Sequence, residues 1–202
     1  LRYKAIGIYS ESDMADSNVP KRPGTMAGDI KIWDANGDGE INSLDRIRQD
    51  LTDIPQIVYG VNLGITWKQF DLSLLFQGQA KVINTIQETW VDPSSGGAGN
   101  LMQWWTEDMW TPENTDGTKP RLGTPNKING TTFTNINAAF FKLKNAEIGY
   151  TLPVAVREKI GVANARVYLS GTNLFSFDHM RGMGIDPEAT GSGYGGWALN
   201  PQ

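Results

Sequence analysis

No cysteine occurs among the 202 residues, which excludes disulfides, thiolate metal sites and cysteine nucleophiles from this stretch. Histidine is nearly as scarce. His179 is the single one; it follows the end of an apolar run, lacks a triad partner, and reads as a loop-surface residue. Basic charge is not in excess: the net charge is −4, which argues against nucleic acid as a partner. No run of eighteen apolar residues is present, so no transmembrane helix is expected. There is neither a P-loop nor a G-x-S-x-G motif. Gly96-Gly97-Ala98-Gly99 lacks the Lys-Ser/Thr ending and reads as loop. Glu107-Asp108 and Glu113 lie in a polar segment that keeps them solvated, and no enzymatic activity is expected. An initiator Met and a signal peptide are also missing. Leu1 opens directly onto a strand-like run (2–9) and Gln202 closes a Gly-rich stretch, so both ends read as cuts in a longer protein and say nothing about export.

What is present is glycine, at 23 residues, and seven tryptophans within an aromatic share of 10%. Few long segments have helical periodicity, and the chain reads as mainly β with long loops. The clearest strand is Ile57 to Trp67. Ile57, Tyr59, Val61, Leu63, Ile65 and Trp67 are all large and apolar, whereas Gly60, Asn62, Gly64 and Thr66 are small or polar. Strict alternation means that one face meets an apolar medium. Its length fits the ~9–11 residues of a tilted membrane-spanning strand. Lys68-Gln69 makes a two-residue turn into Phe70 to Gly78, which places Phe70, Leu72, Leu74 and Phe76 on one side and Asp71, Ser73, Leu75 and Gln77 on the other. Trp67 and Phe70 flank this turn as members of an interfacial girdle. Further strands are expected over 140–152 and 165–177, the latter losing its alternation past Gly171, with a helical turn near 156–160. A weaker fifth strand is expected over 2–9. The connections run long (10–56), short (68–69), long (80–137), medium (153–164) and long again from 178, an alternation like that of outer-membrane barrels with short periplasmic turns and long extracellular loops. The expected fold is therefore all-β: the C-terminal part of a large antiparallel transmembrane β-barrel with long extracellular loops. Five strands cannot close a barrel, which needs at least about eight. The competing reading of the same pattern is a soluble extracellular calcium-binding β domain, an adhesion or carbohydrate-binding module, whose apolar face would pack on a second sheet.

The sharpest local motif spans 34–45, DANGDGEINSLD, and follows the D-x-[DN]-x-[DN]-G pattern of a calcium loop. Asp34, Asn36 and Asp38 offer side-chain oxygens, Gly39 allows the sharp turn, and Glu40 offers its carbonyl. Ile41 points inward, Asn42 sits where a water-mediated ligand is usual, and Asp45 closes the loop where Glu is usual. The expected cofactor is a structural Ca2+. An Asx-rich turn without metal is the alternative. Trp90, Trp104 and Trp105 cluster in the long middle segment and are candidates for stacking on a sugar ligand; a small core holding the loop together is the competing role.

Several blocks together resemble the SusC/RagA-like TonB-dependent outer-membrane transporters of Bacteroidetes. They are GDIK (28–31) leading into DANGDGEI, VYGVNLGITWKQFDLSLLFQG (58–78), WTPENTDGTKPRL (110–122), FFKLKNAEIGYTLP (140–153), and RVYLSGTNLFSF (166–177) followed by GIDPE (184–188). They cover nearly the whole of 1–202 in the family's order. The resemblance implies a parent barrel of about 22 strands, multi-pass in the outer membrane and surrounded by its lipid. It also implies a SusD-like lipoprotein partner at the mouth and energy from the TonB complex. The plug domain and TonB box lie outside these residues. The implied function is active import of a bulky nutrient, oligosaccharide or peptide. Trp110, inside the WTPEN block, is expected to be structural.

Overall fold

The computed structural model describes residues 1–86, 91, 101–123 and 130–188. In chain order its strands are β1 (Arg2–Tyr3), β2 (Ala5–Ile8), β3 (Ile30–Ile32), β4 (Arg46–Ile47), β5 (Ile57–Trp67), β6 (Phe70–Ala80), β7 (Ile83–Thr85), β8 (Asn135–Asn137), β9 (Phe140–Thr151) and β10 (Arg166–Asp178). Three short helices accompany them: α1 (Glu11–Ala15), α2 (Gln103–Thr106) and α3 (Val154–Lys159). The described residues divide into two compact units, one of 1–53 and 84–136, the other of 54–83 and 137–188.

The second unit is built on a four-stranded antiparallel sheet in the order β10-β9-β6-β5. The alternation in the sequence becomes rows of partners across it. Trp67, Phe70, Tyr150 and Val167 form one row, followed by Ile65, Leu72, Ile148 and Leu169, and then by Leu63, Leu74, Ala146 and Gly171. Residues paired across a ladder share a face, so each row is apolar. Two bulges keep this face consistent. β9 carries one additional residue against β6 between Leu75 and Phe76, and β10 carries one against β9 between Thr172 and Phe175. Asn173 absorbs the second with φ 52°, a left-handed conformation that Asn tolerates better than most residues. Beyond it the rows resume with Val61, Phe76, Leu143 and Phe175, then Tyr59, Gly78, Phe141 and Phe177. Gly78 is required there, because a Cβ would stand 2.3 Å from the Tyr59 ring.

The ends of the ladder also fix which connections share an end. The Lys68-Gln69 turn and the α3 connection both lie beyond the Trp67–Phe70–Tyr150–Val167 row, and the Thr151 N–H donates to the Gln69 carbonyl at 2.8 Å. The long segments join the strands at the opposite end.

The first unit corrects one expectation. The run 2–9 is not a further strand of the large sheet. It is broken into β1 and β2, which pair with β4 and β3 in separate two-stranded sheets. Alternation specifies an extended backbone with two unlike faces but not the partner, and here the partners are short strands of neighbouring loop segments. The core of this unit is Ile30, Ile32, Ile41, Ile86, Val91 and Trp105, with Tyr3, Phe133 and Ile136 packed against it. Ile41 therefore does point inward from its loop.

Candidate functional site

The large sheet has two chemically different faces, and the apolar one is uncovered. Ile65 is 60% exposed, Ile148 50% and Leu169 74%, although in a water-soluble domain such a continuous stripe would be buried or cut by polar residues. Among the described residues no second sheet packs on it. Aromatic rings bound it at both ends. Phe70 and Tyr150 meet at 4.7 Å beside Trp67 at one end. At the other, Phe76 stacks on Phe141 at 5.4 Å, and Phe175 meets Phe141 edge-on at 6.3 Å with Phe177 beyond it. Six residues of β6 separate Phe70 from Phe76, about 20 Å at ~3.4 Å each. Strands of outer-membrane barrels tilt by ~35–45°, so these rows stand about 15 Å apart along the normal, within the ~25 Å apolar band of such barrels, and the row of Tyr59 and Phe177 lies further out. The second girdle was not foreseen in the sequence, because the bulges hide its register.

The opposite face is largely polar and carries ion pairs. Arg166 reaches both Asp71 and Glu147, the latter at 2.6 Å. Gly149 leaves the lane open: a Cβ there would meet the guanidinium. Further along, Lys142 contacts Asp186 at 2.5 Å and Glu188 at 3.2 Å, and Lys144 contacts Glu188 at 2.8 Å. The Lys142 side chain is only 4% exposed, so its two carboxylates are what make its burial tolerable. They belong to the GIDPE block, which is thereby strapped to the polar face of β9. Leu75 and Tyr168 also lie on this face, so it is mixed rather than uniformly polar. His179 is exposed at the end of β10 beside an open depression of about 300 Å3, lined in part by Tyr59, Phe141 and Phe177.

In the first unit, Gly28 and Asp29 meet the WTPEN block. The Trp110 ring lies where a Gly28 Cβ would be, at 2.4 Å. Asp29, fully buried, is paired with Arg121 Nε at 2.8 Å and accepts the Met26 N–H at 2.9 Å. Trp110 is thus a structural ring. Trp105 is 2% exposed inside the core. This corrects the expectation that it stacks on ligand, since an enclosed indole has no free face. Trp104 packs edge-on against Trp105 at 5.6 Å and stays half-buried. Trp90 lies outside the described residues.

The loop over 34–45 closes on its own hydrogen bonds. Asp34 accepts the N–H groups of Gly37 at 2.7 Å and Gly39 at 2.8 Å. Asp38 accepts the N–H of Glu40 at 2.9 Å and the Asn36 amide at 2.7 Å, and these donors hold its carboxyl below the usual carboxylate range. Asp45 is fully buried, with one oxygen on the Ala35 N–H at 2.8 Å and the other on the Asn42 N–H at 2.7 Å. Asn42 answers by accepting the Leu44 N–H, completing a capping box on the 3-10 turn Ser43–Asp45. Among the described residues no three His, Asp or Glu side chains gather as a metal cage. The fit to a cation is partial: Asp34, Asn36 and Asp38 are half-buried or exposed, while Asp45 is spent inside the turn.

No family model matches the chain. TonB-dependent receptor P3 of Formosa agariphila is 32% identical over 198 residues, 93% of this chain and 18% of that protein. TonB-dependent receptor P26 of the same organism is 30% identical over 197 residues, 96% of this chain and 19% of that protein. The chain thus spans less than a fifth of the curated relatives it matches. Among solved structures, a chain of the RagAB peptide transporter superposes with a TM-score of 0.64 at 25% identity, over 94% of this chain and 20% of that one. The RagAB peptide importer in its open-open state gives 0.64 at 24% identity, over 98% of this chain and 20% of that one.

Proposed function

This chain belongs to the SusC/RagA-like TonB-dependent transporters, and we propose that the protein of which it forms a segment imports a bulky nutrient across the bacterial outer membrane. One observation supports this most directly: a four-stranded antiparallel sheet presents an uncovered apolar face between two aromatic rows, about 20 Å apart along the strands, and a polar face opposite. In the closed barrel of the parent protein the first face meets lipid and the second lines the lumen. The long connections, all at one end of the sheet, stand outside the cell, where a SusD-like lipoprotein would cover the mouth. Import is not a chemical conversion, and no residue here is assigned a catalytic role. The test is recovery of the parent protein in the detergent-soluble outer-membrane fraction together with uptake of labelled solute that stops when the proton gradient is collapsed. Recovery in the aqueous fraction defeats the reading.

An oligosaccharide is the proposed cargo, with Trp104 as the described ring for ligand contact. A peptide is the second reading, favoured by the likeness to RagAB, a peptide importer. Competition between labelled oligosaccharides and oligopeptides in the uptake assay separates the two. We further propose that Asp34, Asn36, Asp38 and the Glu40 carbonyl hold one calcium ion, with Asn42 acting through water and Asp45 shaping the loop from within. When bound, the ion would lock a long loop that has little core of its own.

A further inference from the structure

We infer that Tyr3, Arg22 and Arg46 form an oxyanion site in the loop unit, suited to the carboxylate of an acidic solute. The guanidinium carbons of Arg22 and Arg46 lie over the same Tyr3 ring, at 4.1 Å and 5.0 Å from its centre. The backbone holds them there: Tyr3 of β1 pairs with Arg46 of β4, and the Tyr3 N–H and carbonyl are tied to Gly130 and Thr132. Stacking on an aromatic face is favourable for each cation, but two like charges over one ring repel. Among the described residues neither arginine has a carboxylate within ion-pairing distance. Asp45, next to Arg46 in the chain, is turned inward with both oxygens occupied. The sharpest sign is at Arg22, whose Nη2 is buried without a hydrogen-bond partner. A buried donor left unsatisfied is costly, and one on a cation marks the place of an acceptor that carries charge.

A planar carboxylate matches the fork of a guanidinium with two parallel N–H···O bonds, which an ammonium cannot imitate. Bound there, it would satisfy Arg22 Nη2 and offset the charge of Arg46. The site goes beyond the import reading and stands whether or not the parent protein transports what it binds. A uronate in an oligosaccharide and a peptide carboxylate share this chemistry.

The test is calorimetric titration of the purified parent protein at low salt with two probes, a trigalacturonate and an acidic tripeptide. Saturable binding of either is expected, and which one binds names the source. Arg22→Gln and Arg46→Gln should each weaken it about tenfold or more, the loss of a charge-assisted hydrogen bond. Arg22→Lys should weaken it as well, because the charge stays but the fork is lost. Arg46 is exposed, so its substitution leaves folding intact, checked by the heat-modifiable migration of the barrel. No saturation by either probe up to about 10 mM, an affinity too weak to count as a site, overturns the proposal, as does binding unchanged in Arg22→Gln and Arg46→Gln. Binding without energised uptake would sink the import reading and leave this site standing.

Discussion

At Asp34 two backbone N–H groups, from Gly37 and Gly39, converge on one carboxylate. A carboxylate has about four lone-pair directions, so these bonds leave room for a cation on the open side. At Asp38→Asn the remaining oxygen still accepts the Glu40 N–H, while a formal charge is removed. Calcium affinity should therefore fall with the loop intact, measured by titration at millimolar calcium, where extracellular sites of ~10⁻⁴–10⁻³ M fill. An unchanged affinity and stoichiometry in Asp38→Asn would remove the metal assignment. Asp13 makes a pH prediction. Lys31, at 2.7 Å, and then the Ser10 N–H hold its carboxyl below the usual range. A lowered value in the folded state means that the unfolded chain binds the proton first. The stabilisation is therefore complete above the ordinary carboxylate value of about 4 and is lost as pH falls through the lower folded value. Protection factors across 10–16, with hydrogen exchange corrected for its intrinsic pH dependence, should be flat from neutral pH down to about 5 and fall below about 4. Asp13→Asn should flatten that response.

Among the elements, β5 offers the cleanest contrast, since neighbouring residues on it face opposite media. Arginine at a midplane lipid-facing position costs ~2–4 kcal/mol, whereas lumen positions tolerate charge. Leu63→Arg should therefore reduce the amount of assembled barrel, read from heat-modifiable migration, and Asn62→Arg should not. Equal losses would mean that the faces are misassigned. The loop unit offers another test: Trp105→Ala removes the largest ring of its core at a cost of ~3–5 kcal/mol. It should expose 84–136 to protease without releasing the sheet. The β5–β6 hairpin, β9 and α3 were legible in the sequence because their periodicity and their turn residues are local. The register of β10 past Gly171 was not, because a bulge at Asn173 breaks the count of two that a sequence reading relies on. The pairings of 2–9 were not legible either, because partners distant in the chain are not encoded in alternation. Ile41 was placed correctly by its loop motif. Trp105 was not, since a tryptophan in a polar segment can serve a ligand or a core, and only packing decides.

On the scale of the whole molecule, orientation in the membrane is set by which end of the sheet faces the cell exterior. The Lys68-Gln69 turn and the α3 connection share one end, and every long connection joins the other. Outer-membrane barrels place short turns in the periplasm and long loops outside. Ser43, in the exposed part of the loop over 34–45, should then lie outside, and Lys68 inside. Neither residue is buried, so a cysteine at either position reports access rather than packing, and with no native cysteine in these residues any thiol signal from this segment comes from the introduced one. In a parent protein cleared of other cysteines, intact cells treated with a membrane-impermeant thiol reagent should label Ser43→Cys and spare Lys68→Cys. Both should react once the outer membrane is permeabilised. The reverse pattern would invert the sheet in the membrane. It would also place the loop over 34–45, which carries Ser43, on the periplasmic side, away from any surface lipoprotein.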